Sequence, residues 1–452
     1  MQSLEYKGFW WLPENPDKKI AGILRFQQPD SPILELIGEQ FTTDIYRSHS
    51  PEFILGLSES TYITLYKCLS KSMGWVSSYL AHVVFVNAHF EKEEEMIFDN
   101  MSVSYFNLEE WARNEETYQL LKAEDFNMKQ IAAELKIDDL YLKIRFSVDK
   151  SLRLSETSEK LRAHVQIEKR LHFNDYMRKI LHYIEIFLSM GINNATYPLS
   201  LTGKTSTAKK VSWSYVKIYY AIPGNLIEDA KIIYHQKMFL TLSDIVDNFE
   251  EHLENWLLKS ERLAPVYNLF FQVLQAKSYL EHEFLQVAKA VEAYHRRTYQ
   301  QSGTYMGSED YEIVRDSLVK QLGSLPLDVK IDDKVKKRIE SSLRAENIND
   351  FTLRDRLKEI WKTHQDAIKV FIPSRKQYDQ FTDEVIIARD FLTHYFENPD
   401  IEAKLTPQYL IELIQNLKYI MQICLLYEMG ILPNKIQEFI KREIQWQPQN
   451  QH

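Results

Sequence analysis

Cysteine is nearly missing: Cys68 and Cys424 are the two in 452 residues. That excludes a disulfide framework and a cysteine-rich zinc site, and it suits a reducing compartment. The chain also lacks any run near the roughly 18 apolar residues that a membrane-spanning helix needs. The opening MQSLEYKGFWWLPENP shows no charged-then-apolar leader. Excess positive charge is missing as well. A formal net charge of −9 argues against a protein built mainly to coat nucleic acid, so a basic face would have to be local. These absences predict a soluble, cytoplasmic protein.

Material for a core is ample, with 44% hydrophobic and 13% aromatic residues. At 452 residues the chain exceeds one ordinary core, and two or three domains are expected. Up to about residue 225 the texture is strands and turns. Short apolar segments at 20–26 and 33–37 are separated by Pro29-Asp30-Ser31-Pro32. Leu142, Ile144, Phe146 and Val148 alternate with polar residues, as do Val165 and Ile167, which predicts a half-buried antiparallel sheet. A helix is expected over 175–190 and one late strand over 211–222.

Near Leu242 the period changes from two to 3.6. Leu280, Phe284, Val287, Ala288, Val291 and Tyr294 mark an amphipathic helix. Thr406 and Pro407 read as N-cap and first helical residue, and Gly430 as the stop of what the pattern presents as the last helix. The fold class is therefore α+β in two domains. A β-rich N-terminal domain (an antiparallel sheet or sandwich with some helix) spans 1–242, a helical connector 243–262, an all-α domain 263–445, and a polar tail 446–452.

Three short patterns invite chemistry. Leu201-Thr202-Gly203-Lys204-Thr205 ends like a phosphate-binding loop, but Pro198 stands where the motif needs its first glycine, so a polar sheet loop is the better reading. Glu292 and His295 have the Glu-x-x-His spacing of di-iron bundles, yet no second copy accompanies them. Glu292 is then a solvated side chain on the polar face. The third pattern lies in VIIARDFLTHYFEN, residues 385–398, where Arg389 and His394 stand five residues apart near the end of a predicted helix. As text it is weak, and its plain alternative is an Arg389–Asp390 surface ion pair with a helix-terminal histidine.

Context strengthens it. The segments FLQVAKAVEAYHRRTY, ARDFLTHY and LIELIQNLKYIMQICLLYEMG resemble a HEPN domain of the ApeA-like kind. GFWWLPENPDKKIAGILRF, PILELIGEQF, FNLEEWA and LTLSDIVDNFEEHLENWL resemble the domain that accompanies it. The resemblance implies a helical HEPN bundle acting as a homodimeric endoribonuclease in bacterial anti-phage defence, with neither metal nor cofactor. It places the family's arginine and histidine on Arg389 and His394, its polar residue on Asp390, and an acidic position on Glu292.

Metal-free RNA cleavage needs a base for the 2′-hydroxyl, positive charge for the phosphorane, and an acid for the leaving 5′-oxygen. Histidine can be either proton carrier, and arginine supplies a planar phosphate fork. One chain offers one His394, so base and acid cannot both come from it unless another group helps, and a second copy is expected to complete the site. Five helical residues rotate by roughly 140°, so Arg389 and His394 would flank a groove rather than stack. Arg296, Arg297, Lys336, Lys337 and Arg338 are candidates to steer RNA, and Tyr395 could stack on a base. The sequence does not name the RNA; the resemblance alone points to structured RNA such as tRNA, and to a phage-derived or small-molecule trigger acting on the N-terminal domain, with no membrane partner. The rival reading is a non-catalytic dimerisation scaffold that binds nucleotide or RNA.

Overall fold

In β2 (Asn15–Gln27) the buried residues Ile20, Leu24 and Phe26 alternate with the exposed Lys19, Ala21 and Arg25. That period commits one face of the strand to a core. β1 (Ser3–Leu12) pairs with it antiparallel, from Ser3↔Gln27 to Trp10↔Ile20. The molecule is a computed structural model describing residues 3–38, 41, 50–72, 76–113, 133–137, 140–153, 156–212, 215–228, 230–275, 278–299, 303–322, 332–344, 348–394 and 397–446.

The further strands are β3 (Ile33–Ile37), β4 (Phe53–Ser58), β5 (Thr61–Ser72), β6 (Val76–Val86), β7 (Ala88–His89), β8 (Ile97–Tyr105), β9 (Ala133–Ile137), β10 (Leu140–Arg153), β11 (Glu156–His172), β12 (Pro198–Lys204), β13 (Lys210–Val211) and β14 (Val216–Tyr220). Among the described residues, one antiparallel sheet runs β3-β2-β1-β4-β5-β6-β14-β12-β8-β11-β10-β9. β3 also pairs with β6, so the first six strands close into a barrel. Its interior holds Trp10, Leu24, Leu36, Ile63 and Val84. Trp10 lies against Gly56 so closely that a Cβ there would stand 2.2 Å from the ring, which accounts for the glycine.

Two local expectations in this half need correction. The late strand over 211–222 is two strands, because the chain changes partner. Lys210 and Val211 pair with His89 and Ala88, whereas Lys217 to Tyr220 pair with β6. The Leu201–Lys204 stretch is ladder rather than loop: Gly203 pairs with Met101 on one side and Val216 on the other. Its amides are therefore committed to the sheet and unavailable to a phosphate.

A short helix, α1 (Leu108–Trp111), and α2 (His182–Ile192) back the sheet. Trp111 packs edge-on to Phe187 of α2. α3 (Phe249–Leu258) and α4 (Ser260–Gln275) lead into the helical half. Trp256 stacks on Tyr267 at 4.0 Å and donates to the Tyr183 carbonyl at 2.9 Å, so one apolar core continues from the sheet into the bundle.

The bundle comprises α5 (Leu280–Thr298), α6 (Ser308–Gln321), α7 (Asp333–Leu343), α8 (Leu353–Ile368), α9 (Arg375–His394), α10 (Pro399–Lys404), α11 (Pro407–Glu428) and α12 (Pro433–Trp446). The Thr406 hydroxyl caps α11 by accepting from the Tyr409 amide at 3.3 Å, and Gly430 turns the chain with a positive φ of 84°. That turn is followed by a further helix, so α11 is not the last. α12 buries Ile436, Phe439 and Ile440, and Arg442 grips Asp244 with two bonds of 2.8 Å. No described helix is long and apolar enough to cross a membrane. The α+β class, with a strand-rich first half and a helical second half, matches the expectation.

Candidate active site

α9 buries Tyr378, Phe381, Val385, Ala388 and Leu392, a stripe at three- and four-residue spacing that fixes the helix against the bundle. Arg389 follows the buried Ala388 and stands at the edge of that stripe, 41% exposed. His394 is the last residue of the helix and is exposed. Both side chains thus meet solvent from one element. Tyr395 lies outside the described residues.

The Arg389 guanidinium is held between two carboxylates. Nη1 donates to Asp390 Oδ1 at 3.1 Å, and Nη2 lies 3.9 Å from Glu292 Oε2. Glu292 is on α5, which packs against α9, so the two helices bring together residues far apart in sequence. By sequence, Glu292 is either a solvated side chain or part of the site. In the structure it is half-buried and also accepts from Arg296 Nη2 at 3.3 Å.

The steering candidates fare differently. Arg296 donates to both Glu292 and Asp350, which commits its guanidinium to internal ion pairs. Arg297 is exposed in the last turn of α5. Lys336, Lys337 and Arg338 ride on α7, which packs on α6, and neither helix has a buried residue. This helix pair is inserted between α5 and α8 and is closed at its root, where Thr304 bridges Asp350 and the Phe351 amide donates to Gly303 at 2.9 Å.

Sequence reasoning missed a buried polar cluster behind the site. His295, next to Tyr294 on the apolar stripe of α5, is fully buried and bonded to Glu359 and Arg356 of α8. The signal was present: Arg356 occupies a stripe position among Leu353, Leu357, Ile360 and Trp361, where an apolar residue belongs. A charge there announces a buried partner.

Beside the site, α5, α9, α10 and α11 enclose a cleft of about 480 Å³, with Leu285, Phe391, Leu392 and Leu405 in its wall and His282 and Glu402 among its polar lining.

Comparison with protein families gives two matches. Residues 5–256 match ApeA N-terminal domain 1, and residues 285–434 match the Apea-like HEPN domain. Neither the curated proteins nor the solved structures gave a match. The chain belongs to the ApeA-like HEPN family, and its helical half is a HEPN domain of the defence-related, nuclease type. Arg389, Asp390, His394 and Glu292 all lie within that HEPN segment.

Proposed function

We propose that this protein is a metal-independent endoribonuclease of a bacterial anti-phage defence system, with its site completed by a second copy of the chain. The observation that supports this most is the placement of Arg389 and His394, both reaching solvent at the end of one helix of a HEPN domain. The planar guanidinium fork of Arg389 fits two phosphate oxygens. His394 can carry one proton. Cleavage requires one proton to leave the 2′-hydroxyl as the 2′-oxygen attacks phosphorus, and another to reach the departing 5′-oxygen. One imidazole cannot do both in a single step, so two copies are needed. The products are a 2′,3′-cyclic phosphate and a free 5′-hydroxyl.

Arg389 faces Asp390 and Glu292 in the single chain, which lowers the local positive potential until a phosphate competes for its donors. The strand-rich half is the sensing and restraining part. The substrate is RNA, structured RNA such as tRNA among the first to assay, and infection is aborted by its loss.

The test is cleavage of end-labelled RNA in EDTA by the parent, Arg389→Ala and His394→Ala proteins. Each variant should be slower by on the order of 100-fold or more, with an unchanged circular dichroism spectrum and oligomeric state. Parent-like cleavage by both variants would refute the site, and a parent that cuts no RNA would refute the activity.

A further inference from the structure

Arg356 is out of place as a helix residue, being 1% exposed on the apolar stripe of α8. Its Nη1 lies 3.0 Å from His295 Nδ1. A guanidinium has donors and no acceptor, so Nδ1 accepts and the ring proton must sit on Nε2. From there it is donated to Glu359 Oε2 at 2.8 Å. Burial holds the His295 imidazole below its ordinary range, in keeping with a neutral ring of fixed tautomer.

The other side of Arg356 faces outward along a chain of alternating charge. Nη2 lies 3.8 Å from Asp350 Oδ2. The same oxygen accepts from Arg296 Nη1. Arg296 Nη2 donates to Glu292 Oε1 at 3.3 Å, and Glu292 turns its other oxygen to Arg389 at 3.9 Å. One end of the chain is a buried cation and the other is the half-buried arginine of the candidate site.

Packing does not account for this arrangement. A leucine at 356 would fill the stripe, whereas a buried guanidinium loses its hydration and needs a partner for each donor. Among the described residues, Nε of Arg356 has no hydrogen-bond partner. Arg296, by contrast, is 46% exposed and would wander among rotamers if it were unanchored. Asp350 supplies the anchor. Its own backbone is fixed by the bridge to Thr304.

We infer that Arg356 is a positioning residue for Arg389, acting through Asp350, Arg296 and Glu292. With Arg296 pinned at Asp350, Glu292 presents one oxygen to Arg389 in one orientation. Asp390 holds the guanidinium from a second side, and the remaining edge is left for a phosphate. The kinetic part of this inference rests on the endoribonuclease reading; the positional part does not.

The test uses the full chain with Asp350→Asn, Arg356→Met, Arg356→Lys and Glu292→Gln. Asp350→Asn should lower kcat about tenfold or more with KM within about twofold, as expected for a misplaced catalytic group. Added to Glu292→Gln, it should cost nothing further, because both variants break the same chain. Multiplying losses would mark a general structural defect and overturn the inference. Arg356→Lys should recover part of what Arg356→Met loses. If Arg356→Met fails to fold, the half-buried Asp350→Asn carries the test. A crystal structure of Asp350→Asn gives a readout independent of activity. Glu292 turned away from Arg389 supports the inference, and an unmoved pair overturns it even if the parent cuts no RNA.

Discussion

In the sheet half, the buried polar side chains are mainly small and neutral: Thr64, Ser77, Asn87 and Ser104 are representative. In the helical half they include His295, Arg356, His364, Glu428 and Glu443. The Thr64 hydroxyl shows the first pattern, donating to the Ala88 carbonyl at 2.9 Å and accepting from the Phe90 amide at 3.0 Å. It patches backbone groups that the ladder leaves over. Glu428 shows the second. It accepts from the Tyr294 hydroxyl at 3.1 Å and pairs with Lys259 at 2.9 Å and Arg262 at 3.2 Å, joining α11 to α4 and α5. In one half polar groups complete the backbone's hydrogen bonding, and in the other they orient side chains. A site that handles charge needs the second.

This contrast can be broken experimentally, and the largest effect belongs to shape. Trp10→Ala in the barrel should cost about 3–5 kcal/mol of stability in chemical denaturation. A loss below about 1 kcal/mol would show that the barrel interior is loosely packed.

Next comes His364, which lies edge-on to Tyr427 at 4.8 Å and whose Nε2 is unpartnered among the described residues. Unfolded, such a ring takes its proton near pH 6.5; burial pushes it down to about 4, with Glu428 opposing. Between those values the unfolded chain binds more protons, so stability is full above the upper value and falls toward the lower. The swing from this one group is up to about 3 kcal/mol. The His364→Phe variant should lose that acid sensitivity, seen as the difference between two denaturation series across pH. Parallel series would show that the ring is hydrated.

Glu185 sharpens the contrast from the other side. It lies on α2 near Tyr105 and Tyr220, and burial pushes its carboxyl up from 4.5 to about 8. It is therefore uncharged at neutral pH, in keeping with the neutral interior of its half. The sign is opposite to that of His364. The folded state keeps a proton that the unfolded chain sheds, so stability falls as pH rises from 4.5 toward 8. Glu185→Gln should flatten that limb by less than His364→Phe flattens the acid one, because the side chain is partly exposed and solvent screens it. An identical alkaline limb in both proteins would place a charged carboxylate inside the sheet half.

Local rules carried much of this fold. Alternation in 20–26 and 142–148 marked strands, and Thr406-Pro407 marked a helix start. Each of those signals is complete within a few residues. What failed depended on partners. The division of 211–222 follows from which strand each piece meets. α12 was hidden behind a correct stop signal at Gly430, although Ile436, Phe439 and Ile440 carry the helical period. Arg389, Asp390, Glu292 and Arg296 were each legible as candidates, and the structure brings those four together; their tie to Asp350 and Arg356 was not legible. Arg356 meets His295 across 61 residues and Arg296 meets Asp350 across 54. The stripe position of Arg356 marks it as buried, and only packing shows which partners it meets.

The two neighbours on one edge of β6 have a consequence for accuracy of assembly. Ile33 to Ile37 pair with its first part and Lys217 to Tyr220 with its last, while β5 runs along the opposite edge. Val84 and Val86 enter the barrel core, and Val83 and Phe85 enter the larger one. A slip of one residue would exchange those two sets and misalign three strands together. β6 therefore works as a keystone, whose errors are rejected by both cores at once, and no neighbouring strand can settle out of step without the others.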